Sequence, residues 1–279
     1  MSADANDHTL TGEFRTHARF RSRFLPNERT ILVYVPPGYQ REVDGRGRGR
    51  GRERSRRYPV LYLQDGQNVF DKATSFGQEW HVDETAQSLI ESGQIEPLIV
   101  VAIYNTGVHR VDEYTPTHVP GKGGGRADQY GRMLVEEIKP LIDRKYKTLP
   151  SAASTGLGGS SLGGLLTLHV GLNYPTVFNR LAVLSPSVWW DERAIVRRVQ
   201  SLSAKLPLRI WLDAGTGEGA DVVADTRALR DALLAKGWVT DHDLRYLEAE
   251  GAEHNEQSWG GRVGEVLKFL FPKRGPRGR

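Results

Sequence analysis

Three residue types that can cooperate in acyl transfer follow one another along this chain: a serine between glycines, an acid on a glycine-rich stretch and a late histidine. The serine is Ser161, at the centre of Gly158-Gly159-Ser160-Ser161-Leu162-Gly163-Gly164, which reads Gly-x-Ser-x-Gly. A serine hydroxyl is a poor nucleophile until a neighbouring base takes its proton. Where a serine sits on such a strand-to-helix turn, its acid and base come later, in that order. After Asp213 runs Ala214-Gly215-Thr216-Gly217-Glu218, which presents the Glu218 carboxylate. Asp213, Asp221 and Asp225 remain alternatives, Asp213 as the end of a strand and the other two where helix-start acids are common. His254, in Glu253-His254-Asn255, is the histidine of the eight that follows both serine and acid on a loop before a helix; His242 precedes the last strand. The Leu162 N–H, just past the serine, is one expected donor to a developing oxyanion. The other is the Gln67 N–H in Asp65-Gly66-Gln67, where Gly66 allows the backbone a close approach.

These residues need a strand, a tight turn and a helix to hold them. Residues 154–157 are expected to form a buried strand, and residues 162–174, apolar almost all round, a helix packed on a sheet. Glycines at 159 and 163 are expected because a Cβ there collides as strand and helix close up. Further strands are expected at residues 13–24, 29–35, 59–63, 97–103, 180–184, 208–213 and 244–247. Helices are expected around 82–92, 128–147, 191–203, 221–236 and 257–271, with Pro140 kinking the second. Residues 105–127 read as a long loop, a length that usually marks function. Strands alternating with helices give an α/β fold, a mostly parallel central sheet with helices on both faces. No repeat or second domain interrupts it, so residues 1–279 read as one domain.

Composition narrows the chemistry. With no cysteine among its 279 residues, the chain has no disulfide, thiolate nucleophile or cysteine-ligated metal. The start, MSADANDHTL, lacks the basic and apolar run of a signal peptide, and no stretch is apolar enough to span a membrane, so a soluble cytoplasmic protein is expected. The net charge of +4 is concentrated in two appendages. Residues 41–57 carry a net +5 and residues 273–279 a net +4, leaving a body near −5. The Arg/Gly-rich stretch 44–57 is expected to be a flexible insertion, because it has little apolar surface to bury, and residues 272–279 a basic tail. Without interleaved aromatics the stretch is a poor single-strand nucleic-acid binder, and no nucleic-acid partner is expected.

Beyond the motif, the chain resembles the esterase branch of the α/β-hydrolase superfamily. That branch includes feruloyl and acetyl-xylan esterases of carbohydrate esterase family 1, siderophore esterases, S-formylglutathione hydrolase and mycolyltransferases. The matching stretches run from about residue 30 to 271: Leu61 to Asn68, Tyr130 to Tyr146, Thr155 to Gly164, Leu184-Ser185-Pro186-Ser187-Val188-Trp189-Trp190, and Gly251 to Trp259. The resemblance implies Ser161 as nucleophile, His254 as base, Glu218 as acid, and Gln67 with Leu162 as the oxyanion pair. It implies an ester hydrolase with no cofactor and no metal, acting on a small-molecule ester. The branch more often has aspartate as the acid, so Glu218 departs from its pattern, and the Arg/Gly-rich stretch departs entirely. Arg110, Tyr114, Trp189, Trp190 and Trp259 are expected to line the substrate pocket, although adjacent tryptophans usually divide between inside and outside. The alternatives are a siderophore lactone esterase, or a non-catalytic binding protein on the same scaffold.

Overall fold

The apolar runs of this sequence pair edge to edge, and their two-residue period divides the core in half. In the computed structural model, which describes residues 8–39 and 56–273, strand β2 (Arg29–Val35), β3 (Val60–Leu63), β4 (Ile99–Ile103), β7 (Thr155–Ser160), β8 (Arg180–Leu184) and β9 (Arg209–Gly215) are almost wholly buried. With β1 (Glu13–Phe20) and β10 (Leu244–Ala249) at the edges they form one eight-stranded sheet in the order β1-β2-β4-β3-β7-β8-β9-β10. β1, β2 and β4 pair antiparallel, and every pair from β4–β3 to β9–β10 is parallel. A separate two-stranded hairpin joins β5 (His118–Val119) to β6 (Gly123–Gly124). The expected mostly parallel α/β sheet is therefore the observed one.

Successive side chains point to opposite faces of a strand. Val60, Tyr62, Leu157, Leu181, Val183, Ile210 and Leu212 accordingly enter one core cluster, while Leu61, Leu63, Ala182, Leu184 and Trp211 enter the other. The first is covered by α5 (Leu162–Asn173), α6 (Ala194–Gln200) and α7 (Ala220–Ala235), and the second by α1 (Val82–Glu91) and α8 (Glu256–Leu270). Helix α8 turns Trp259, Val263, Val266, Leu267 and Leu270 inward, one stripe at helical spacing. Helix α5 is buried on nearly every side because α2 (Arg110–Tyr114) and α3 (Ala127–Arg132) cover the flank that the sheet does not.

Several elements depart from expectation. β1 stops at Phe20 because its register with β2 shifts between His17 and Phe20, where Arg19 takes a positive φ. The expected loop at 105–127 holds α2 and the β5–β6 hairpin. The expected helix over 128–147 is broken into α3, a π-helical stretch at Met133–Ile138 and α4 (Lys139–Lys145). Pro140 has no N–H and crowds the carbonyl four residues back, and the widened turn before it accommodates both. The expected insertion at 44–57 lies outside the described residues apart from Arg56 and Arg57, and so does the expected tail beyond Lys273.

Candidate active site

Strand β7 delivers Ser161 to the end of the sheet in a strained conformation, φ 56° and ψ −124°. Such a backbone costs of order 1–3 kcal/mol in a non-glycine residue and persists only where its surroundings enforce it. Here they do: the Ser161 N–H donates to the Leu184 carbonyl at 3.1 Å, and the Ser161 carbonyl accepts from Leu165 at 3.1 Å and Ser187 at 3.0 Å. A Cβ on Gly159 would lie 2.8 Å from the Gly163 carbonyl carbon, so glycine is required there as expected. At Gly163 the nearest obstacle is Asp65 Oδ2 at 3.2 Å, a contact with the turn after β3 rather than with β7. Gly164 carries the tighter constraint, with the Leu184 carbonyl oxygen 2.9 Å from its would-be Cβ.

The structure brings Ser161, His254 and Glu218 together. His254 Nε2 stands 2.9 Å from Ser161 Oγ and its Nδ1 2.6 Å from Glu218 Oε2. This arrangement has Nδ1–H donating to the carboxylate and Nε2 free to accept the serine proton. Two glycines let the acid loop lie against the histidine loop. A Cβ on Gly215 would fall 2.0 Å from the Ala252 carbonyl oxygen, and the Gly217 N–H donates to that same oxygen at 3.0 Å. The His254 ring also meets the Trp259 ring edge to face, centroids 4.9 Å apart.

A buried network behind Glu218 was not legible in the sequence. Glu218 Oε1 accepts from Ser185 Oγ at 2.5 Å and from the Gly215 N–H at 2.7 Å. Ser185 Oγ in turn accepts from Trp259 Nε1 at 3.0 Å and Arg262 Nη2 at 3.1 Å, using the full capacity of a hydroxyl. Arg262 forks onto Asp213 at 2.9 and 3.0 Å, and Asp213 also accepts from Trp211 Nε1 and the Ser185 N–H. Burial alone would raise the Glu218 carboxyl, but the bonds from His254, Ser185 and Gly215 outweigh it and hold it below the usual range. Burial pushes the Asp213 carboxyl up, against the pull of Arg262. Of the rival acids, Asp213 is thus committed to Arg262, Asp225 pairs with Arg193, and Asp221 is exposed in the first turn of α7.

Leu162 is the first residue of α5, where a helical N–H has no carbonyl one turn behind it. Gln67 sits in a single 3-10 turn, Gly66–Asn68, at the end of β3 and beside β7. Gly66 is held to glycine because its Cβ would lie 2.6 Å from the Ala102 carbonyl carbon.

A cleft of about 380 Å³ opens over Ser161 and His254, lined also by Asp65, Asn68, Phe76, Asn105, Arg110, Glu256 and Trp259. Arg110 and Trp259 are therefore placed at the cleft as expected. Arg110 forks onto Asp65 with both bonds at 2.7 Å. Tyr114 is a correction: it is fully buried beneath the Arg110 guanidinium, its hydroxyl oxygen accepting from the Asp65 N–H. Trp190 is likewise buried, donating to Thr117, while Trp189 is 47% exposed under Lys122 and outside the cleft lining. Both positions follow from adjacency, since one ring faces the core and the next faces out. Phe76, 72% exposed at the rim, was missed because nothing in its neighbourhood marks it in sequence.

A family model described as Putative esterase matches residues 22–270. The Bacillus subtilis protein YbbA is 24% identical over 90% of this chain and 96% of its own length. An endo-1,4-beta-xylanase/feruloyl esterase of Xylanibacter ruminicola is 26% identical over 90% of this chain but 30% of its own. Ferri-bacillibactin esterase BesA of Bacillus subtilis is 32% identical over 57% and 59%. Among solved structures, the enterobactin esterase FES from Shigella flexneri superposes with TM-score 0.74 at 21% identity, over 94% of this chain and 60% of that one. The BES protein from Bacillus cereus does so with TM-score 0.71 at 21% identity, over 97% and 99%.

Proposed function

The chain belongs to the esterase family that it matches over residues 22–270, and from that premise we propose that it hydrolyses carboxylic esters through an acyl-enzyme on Ser161. The observation that carries this reading is the His254 ring held between Ser161 Oγ at 2.9 Å and Glu218 Oε2 at 2.6 Å. His254 Nε2 takes the serine proton as Oγ attacks the ester carbonyl carbon. The negative oxygen that forms faces the Leu162 and Gln67 N–H groups; one such donor is typically worth about 10²–10³ in kcat. The imidazolium, stabilised by Glu218, then protonates the departing alkoxide. In the second half a water loses its proton to His254 and attacks the acyl carbon, and the imidazolium returns that proton to Ser161 Oγ as the acid leaves.

A siderophore lactone is the second reading for the substrate, favoured by the 32% identity to ferri-bacillibactin esterase. A feruloyl ester is the counterpart suggested by the xylanase/feruloyl esterase. A panel of short p-nitrophenyl acyl esters, feruloyl esters, siderophore lactones and S-formylglutathione, compared by kcat/KM, separates them. On the best substrate, Ser161→Ala and His254→Ala each lower kcat by about 10⁴-fold or more, and the double variant falls little further. A Ser161→Ala protein within about tenfold of wild type would show that the serine is not the nucleophile.

A further inference from the structure

A second cluster of chemistry-bearing side chains lies outside the cleft, where the chain enters α1. His81 Nδ1 stands 3.4 Å from Glu79 Oε1 and 3.3 Å from Glu84 Oε1, and one ligating atom from each of the three lies within 4.8 Å of the others. Nitrogen and oxygen donors about 2.0–2.1 Å from a tetrahedral ion are themselves about 3.3–3.4 Å apart, so the two distances from His81 suit one shared ion.

The oxygens supply an independent observation. Glu79 is only 2% exposed, and its Oε1 accepts from the Thr9 hydroxyl. Its Oε2 is buried with no hydrogen-bond partner. A buried carboxylate oxygen without a donor is costly, so an electrophile is the missing partner. The neighbourhood is rich in acid, since Asp83 and Glu84 adjoin in the first turn of α1. The cluster opens to solvent through a cavity lined by Thr9, Lys72, Gln78, Glu79 and His81, which leaves room for a water as fourth ligand.

We propose that Glu79, His81 and Glu84 bind a divalent transition metal of the zinc class, with one imidazole nitrogen, two carboxylate oxygens and a water around it. One imidazole with carboxylates suits such ions better than the all-oxygen sites of calcium or magnesium. The ion ties the residues before α1 to the first turn of that helix. Trp80, between Glu79 and His81, packs against Trp259 at 6.0 Å, and Trp259 meets His254. Bound there, the ion steadies the segment that carries Phe76 and backs the histidine loop.

The test is a titration of the untagged, chelator-stripped full chain with Co²⁺, followed by its visible absorption and then by displacement with Zn²⁺. The expected result is one Co²⁺ per chain with the intense bands of four-coordinate cobalt, lost on adding Zn²⁺. Glu84→Gln and His81→Asn weaken binding by at least about tenfold; asparagine is chosen because His81 has φ 52°, which it tolerates. Both variants keep wild-type ester hydrolysis in metal-free buffer, which shows that they fold. Binding that is absent, that has only the weak spectrum of hydrated cobalt, or that is unchanged in both variants would overturn the proposal.

Discussion

At the scale of single residues the account turns on how the acid is distinguished from its neighbours. Glu218 contacts His254, whereas Asp213 lies buried under Arg262. Substituting each with its amide has different consequences. Glu218→Gln keeps the size but removes the charge that stabilises the imidazolium, so kcat falls by roughly 10²- to 10⁴-fold with little change in KM. Asp213→Asn leaves the Arg262 guanidinium buried without its counter-charge, a loss of about 3–5 kcal/mol that a urea melt reads directly. Its kcat, corrected for the folded fraction, stays within about tenfold of wild type. The reverse pattern, a stable but inactive Asp213→Asn with an active Glu218→Gln, assigns the acid to Asp213. The sequence could mark Glu218 because glycines at 215 and 217 free its loop. It could not mark Ser185 and Arg262, which lie 77 residues apart and meet only through the packing of α8 on the sheet.

At the scale of elements the turn between β7 and α5 is where sequence and structure agree most closely. A glycine motif fixes local geometry, and local geometry is what a motif can encode. Gly159→Ala puts a Cβ 2.8 Å from backbone, so the turn itself must move. We expect a destabilisation of about 1–3 kcal/mol, typical of overpacking, together with a large loss of kcat. Gly261→Ala, in α8 with nothing within 4 Å, is expected instead to raise stability by roughly 0.5–1 kcal/mol, because alanine gives up less freedom in a helix. Urea midpoints of the two variants check the opposite signs. Other elements were less legible for a physical reason. The residues of α2 and the β5–β6 hairpin have no long apolar period of their own; α2 is placed by packing on α5, and the hairpin by packing on α2 and by hydrogen bonds such as Gly124 N–H to Asp112. The two tryptophans at 189 and 190 could be seen to diverge, but which one faces the cleft could not, and the answer is neither.

At the scale of the whole molecule the parallel sheet gathers its functional loops at one end, since Ser161, Gln67, Glu218 and His254 all follow the C-terminal ends of strands. The Arg/Gly-rich stretch ends ten residues before Gln67 and lies far along the chain from Ser161, Glu218 and His254. Its flanks meet: the Tyr39 and Tyr58 rings pack with centroids 5.5 Å apart, and both residues bond to Lys147. Deleting residues 45–56 is therefore expected to leave kcat/KM and Tm nearly unchanged, and a fall in Tm of more than about 5 °C would show that the stretch contributes contacts to the fold. The central claim, that Ser161 is a nucleophile activated by His254, is tested most directly by locating the adduct formed with a fluorophosphonate. The account predicts one equivalent of label per chain, mapped by peptide mass spectrometry to Ser161, with no labelling of Ser161→Ala and strongly slowed labelling of His254→Ala. Label on a different residue, or unlabelled protein that still hydrolyses esters, would contradict it.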